Sequence, residues 1–176
     1  MAHPLTPTRA LQLLDELGAS PWLVRHHELV LEAAELLCER VHRELGLSFD
    51  RDEVLIGAAI HDAGKILHPE EMREPGSRHE PAGEQLLLKQ GVPAAFARFC
   101  ITHASWERPD TTIEDLLVAL ADKLWKGKRD DDLERRAADA IARSGKREAW
   151  EVFDALDSIC EAIAADGPDR LARSAV

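Results

Sequence analysis

A chain of 176 residues with 45% hydrophobic and 31% charged side chains has the size and composition of one ordinary globular domain and is too apolar for a disordered one. Its 22 basic and 33 acidic residues leave a net charge of −11, which argues against a surface for a nucleic-acid polymer, because phosphate backbones require a cationic footprint. Cys38, Cys100 and Cys160 are too few and too scattered for a disulfide framework or a paired-cysteine metal knuckle, and no apolar run reaches membrane-spanning length, so a reducing cytoplasm with no membrane partner is expected.

Leu and Ala dominate, β-branched runs are scarce and Gly or Pro marks the joints, which predicts an all-α single domain over residues 1–176. The segment from Met1 to Leu17 lacks the apolar core of a secretory signal. Ser20-Pro21 supplies an N-cap and a first-turn proline for a helix to about Leu45, with Leu23, Val30, Ala34, Leu37, Val41 and Leu45 along its apolar stripe. His26 and His27 flank that stripe on opposite sides, so periodicity does not decide which one faces the core. Asp50 with Glu53 predicts a capping box opening a second helix that is apolar on all sides from Val54 to Ile60 and is expected to end near Gly64. Residues 68–78, with Pro69, Pro75 and Gly76, read as an irregular connector or lid. Helices are then expected over 79–90, 93–103, 112–125, 130–142 and 146–165, the last two charged and free of histidine, which makes 127–176 a packing segment.

His61 and Asp62 end the apolar run, where a carboxylate is costly unless it is paired or coordinated. Asp122, after the apolar run from Leu116 to Ala121, repeats the problem, and His79 and His103 open and close the helices between them. Imidazole and carboxylate without thiolate suit Mn²⁺, Fe²⁺, Mg²⁺ or Co²⁺, with zinc admissible.

In chain order, His26, His61-Asp62, His79, His103 and Asp122 resemble the HD-domain metal-dependent phosphohydrolase superfamily, in its six-ligand, two-metal variant, over residues 20–126. The likeness lies in HDxGK at His61 to Lys65, HxxxVxxxA at His26, Val30 and Ala34, HExxG at His79, Glu80 and Gly83, and Ala121-Asp122-Lys123. The resemblance implies a helical bundle of the HD type, and it selects His26 over His27. It implies one divalent ion on His26, His61 and Asp122, a second on His79 and His103, and Asp62 bridging them. The implied chemistry is attack by metal-bound hydroxide on a small phosphorylated molecule, nucleotides included, with Asp62 and Lys65 as the catalytic residues. Lys123, Lys126, Arg73, Arg78, Lys128 and Arg129 are further candidates for phosphate contact. The same ligand order also serves di-iron oxygenases of a small polyol or phosphonate and non-catalytic metal- or nucleotide-binding domains. A chain without tyrosine has no GYP tripeptide, which sets it apart from the cyclic-dinucleotide phosphodiesterase branch, and residues 123–129 differ from the dinucleotide polyphosphate hydrolases of this fold.

Overall fold

Thr6 and Ser20 each accept a hydrogen bond from the backbone N–H three residues on, and each is followed by a proline whose fixed φ suits a first helical turn. They start α1 (Pro7–Glu16) and α2 (Pro21–Leu45) in a computed structural model that describes residues 5–175. Met1 to Pro4, part of the segment read for a secretory signal, and Val176 lie outside the described residues. α1 was not among the expected helices, although Thr6-Pro7 carries the same start signal as Ser20-Pro21. α2 ends where Gly46 turns into the left-handed region at φ 64.

Asp50 caps α3 (Arg51–Ile60) by accepting from the Glu53 N–H, but the predicted box is not reciprocal: the Asp50 N–H donates to Glu114, and Glu53 turns to Arg98. α3 also stops four residues short of Gly64. His61 and Asp62 form a turn, and a 3-10 turn follows at Ala63–Ile66. The cause is a backbone contact that a continuing helix would not make. A β-carbon on Gly64 would lie 1.7 Å from the His79 carbonyl oxygen, and one on Gly83 would lie 2.6 Å from the Gly64 nitrogen. The two glycines therefore let the turn press directly on the first turns of α4 (His79–Lys89).

A second 3-10 turn, Pro69–Met72, sits inside the irregular stretch 68–78. The helix expected over 93–103 is two single turns, α5 (Ala94–Ala97) and α6 (Phe99–Thr102), with a turn at Arg98 between them. A full capping box between Thr112 and Asp115 opens α7 (Ile113–Leu124). Asp115 also accepts from Thr102 Oγ1 at 2.8 Å and Arg98 Nε at 3.1 Å, which fixes α6, and hence His103, relative to α7. Asp130 caps α8 (Asp131–Gly145), whose end at Lys146, φ 51, delays α9 (Ala149–Ala165) by three residues from its expected start.

α10 (Gly167–Arg173) closes the chain against α2: Glu32 accepts from Arg170 at 3.0 Å and from Arg173 at 2.8 and 2.9 Å, with Arg170 fully buried. No strand occurs among the described residues, and none of their helices is long and apolar enough to cross a membrane.

The α2 stripe forms the axis of this all-α bundle, with α3, α7 and α9 around it and α8 paired with α9. Val30, Leu37 and Val41 of α2 share one apolar cluster with Leu117 and Leu120 of α7, Leu133 and Ile141 of α8 and Leu156 and Ile159 of α9. Each such buried side chain contributes about 1.5–3 kcal/mol of transfer free energy. A second cluster joins α1 to α3 through Leu14, Ile56 and Ile60. Gly64→Ala should cost about 3 kcal/mol, the upper end of overpacking penalties, because its β-carbon meets backbone that has no rotamer to yield. Urea unfolding checks this; a loss below about 1 kcal/mol would mean that the turn moves freely away from α4.

Candidate metal centre

Five elements deliver the six histidine and aspartate side chains singled out in the sequence: α2 carries His26, the turn after α3 carries His61 and Asp62, α4 opens on His79, α6 closes on His103, and α7 carries Asp122. Asp62, 2% exposed, stands at their centre. Its Oδ2 lies 3.1 Å from His26 Nε2 and 3.6 Å from His61 Nε2, while its Oδ1 lies 3.1 Å from His79 Nε2 and 3.5 Å from His103 Nε2. His61 Nε2 is also 3.4 Å from Asp122 Oδ1. The ligand atoms fall into three groups, each close enough to share one ion: His26, His61, Asp62 and Asp122; Asp62, His79 and His103; and His26, His27 and His61, the last without a carboxylate.

The ring orientations are fixed from behind. The Ala58 carbonyl accepts from His61 Nδ1 at 3.1 Å, the Phe99 carbonyl from His103 Nδ1 at 2.9 Å, and the Glu71 carboxylate from His79 Nδ1 at 2.6 Å. A carbonyl oxygen only accepts, so the proton sits on Nδ1 of His61 and His103, and Nε2 turns its lone pair to the centre. His26 Nε2, His61 Nε2 and Asp62 Oδ1 are buried without a hydrogen-bond partner. Lone pairs facing carboxylate oxygens without donors are unfavourable unless a cation lies between them. Neighbouring ligands on a six-coordinate divalent ion are about 3 Å apart, which matches these separations. The donor set therefore fits hard to intermediate divalent ions.

Burial holds His26 below its ordinary pKa and, with the nearby His61, pushes His103 down to about 4, so both rings are neutral and ligand-competent at pH 7. Burial opposes charge on His61 and His79 as well, but Asp62 and Asp122 around the first, and Asp62 and Glu71 around the second, raise both. A proton and a cation thus compete for the same Nε2 positions. Burial likewise opposes ionisation of Asp62 and Asp122, and the surrounding imidazoles overcome it, holding both carboxyls well below the usual range.

Five of the six side chains, all but the fully buried His61, line a cleft of about 260 Å³ together with Lys65, Lys123, Lys126, Trp106 and Glu80. Larger hollows, about 300 Å³ beside Arg98 and Asp115 and about 440 Å³ beside Cys38 and Phe49, contain none of the six. Lys65 reaches into the cleft, its Nζ 2.6 Å from Asp62 Oδ2. The other basic candidates divide: Lys123 and Lys126 line the cleft, whereas Arg73 lies over the Trp22 ring, Arg78 pairs with Glu70 and Glu71, and Arg129 pairs with Glu134 and Asp157. Lys128 is exposed outside the cleft lining. His27 stands fully buried behind the site, its Nδ1 3.2 Å from the same Ala58 carbonyl that holds His61. Glu71, the buried partner of His79, escaped the sequence reading because an acidic residue in an irregular stretch carries no periodicity to mark it.

The HD domain family profile matches residues 23–125, more than half of the chain. Over 92% of its length the chain is also similar, at 25% identity, to a tRNA (cytidine(56)-2'-O)-methyltransferase of Thermoplasma volcanium; the match takes in 48% of that protein, so the chain spans about half the length of this curated relative. No solved structure matches. The profile spans every one of the six converging side chains, and the chain belongs to the HD-domain family, a superfamily of metal-dependent hydrolase type.

Proposed function

We propose that this protein is a metal-dependent phosphohydrolase of a small phosphorylated molecule, nucleotides included. His26, His61, Asp62 and Asp122 would hold one divalent ion, and Asp62, His79 and His103 a second. The observation that carries this reading is the division of the Asp62 carboxylate, one oxygen toward His26 and His61 and the other toward His79 and His103. Paired divalent ions supply an acidified water and neutralise charge on phosphoryl oxygens.

The chain's own groups do the rest. Asp62 stays ionised despite burial and faces both ligand sets at once. Lys65, Lys123 and Lys126 line the cleft with cationic groups in a protein of net charge −11, so an anionic phosphate is met by local charge and not by the overall field. Lys65, on the wall beside Asp62, supports charge developing on the phosphoryl oxygens. A cleft of about 260 Å³ favours a small molecule over a polymer. The three cysteines, buried and unpaired, suit a reducing cytoplasm, and α8, α9 and α10 act as packing helices of the same domain.

Phosphate release from a panel of nucleotides and sugar phosphates tests the reading: Mn²⁺ or Co²⁺ should restore turnover after chelation, and turnover indifferent to chelation would overturn it. Asp62→Ala should strip both ions and remove more activity than any basic-residue change, whereas near-normal metal content would refute the shared carboxylate. His26→Ala should empty the first position while His27→Ala leaves it filled, as metal analysis would register; the reverse would exchange their roles. Lys65→Ala should lower kcat by about 10- to 1,000-fold, about 1.4–4 kcal/mol, with both ions retained. A loss confined to KM would assign Lys65 to ground-state binding.

A further inference from the structure

We propose that Glu71, held in place by the closeness of Gly76, is a positioning residue that presents His79 to the second ion, so that the irregular stretch 68–78 is a built wall of the site and not a connector. The proposal rests on the two-ion reading above. It starts from a carboxylate with no reason of its own to be buried: Glu71 is 8% exposed in the short 3-10 turn Pro69–Met72, inside the otherwise irregular stretch 68–78. A carboxylate taken out of water at such a place is unfavourable unless hydrogen bonds replace its hydration.

Both oxygens are committed. Oε2 accepts from His79 Nδ1 at 2.6 Å and from the His79 backbone N–H at 3.0 Å, and Oε1 accepts from the Arg78 N–H at 3.2 Å and Arg78 Nε at 3.3 Å. α4 has no side-chain cap from Arg78, the residue before it, so Glu71 reaches back across the loop to satisfy its first N–H groups and to place negative charge at the positive end of the helix. The same carboxylate puts the proton on His79 Nδ1, which leaves Nε2, 3.1 Å from Asp62 Oδ1, as the ring's donor of electrons. His61 and His103 are fixed by backbone carbonyls, the weaker acceptors; the carboxylate makes His79 the more basic ligand and ties it to a loop outside the bundle.

Gly76 is the other half of the device. A β-carbon there would lie 2.3 Å from Glu71 Oε1 and 2.4 Å from its Cδ, so only glycine lets the loop close over the carboxylate. Gly76 itself is exposed and lines the cleft, and the atoms it would strike are the far end of a flexible side chain. Gly76→Ala should therefore displace the Glu71 carboxylate while the helices remain packed.

Calorimetric titration of the metal-free full chain with Mn²⁺ tests this, together with long-range ¹H–¹⁵N spectra that read the His79 tautomer before any metal is added. Wild-type protein should bind two ions. In Glu71→Ala the second ion, the one His79 would hold, should bind about 10- to 100-fold less tightly, the effect expected of a lost partner behind a histidine ligand, with the first ion unaltered and His79 no longer locked as the Nδ1–H form. Glu71→Gln, which keeps one acceptor for the ring, should recover part of the loss. Gly76→Ala should reproduce it with Glu71 chemically intact. A role in capping α4 alone would lower thermal stability and leave the tautomer and second-ion affinity unchanged, and that result would overturn the proposal while the two-ion reading stood. Wild-type protein that takes up no Mn²⁺ would overturn both.

Discussion

A carboxylate buried to 2% exposure is the constraint around which the molecule is arranged. Asp62 cannot be stable there alone, because no nearby apolar packing offsets the lost hydration of a charge. The surrounding chain answers with four imidazoles from four different elements, two on each oxygen. With the protons of His61 and His103 turned away to backbone carbonyls, the interior is left short of positive charge at the points where it is needed. Such a site is expensive without a cation and gains from binding one, so metal uptake and folding stability are coupled through the same residues.

Bringing these rings together depends on backbone as much as on side chains. Gly64 and Gly83 allow the turn after α3 to touch the beginning of α4, which sets His79 beside Asp62. The Asp115 network does the corresponding work for His103 by locking α6 to α7 through Thr102 and Arg98. Neither contact includes a metal-facing atom. Both lie one step behind the site, where a small shift would be passed to a ring nitrogen whose position matters to a few tenths of an ångström.

The electrostatic character of the cleft also differs from that of the whole protein. Some acidic residues form surface pairs along the helices, as in Arg40 with Glu44 and Arg43 with Glu39, and Glu32 clasps α10. The cleft instead gathers Lys65, Lys123 and Lys126 around buried aspartates. A net charge of −11 does not set the field inside the cleft, where the local lysines are compatible with a compact anion, because interactions beyond about 10 Å are screened at ordinary salt.

The sequence by itself determined the helical class, the apolar faces of α2, α3 and α7, most helix starts and the order of the histidines and aspartates, since each is written in local caps and periodicity. It left His26 and His27 equivalent, because both flank one stripe; packing decided by sending His27 back toward Ala58 and His26 toward Asp62. It ran α3 through to Gly64, because nothing local marks a helix that stops to make room for a backbone 15 residues further on. It merged α5 with α6, because nothing local marks the turn at Arg98, whose side chain is held by Asp115 on α7. Glu71 and the sorting of the basic residues were likewise beyond it. Which charges end up buried, and which of several lysines share one cleft, are set by distances between segments far apart in the chain, and only tertiary structure fixes those distances.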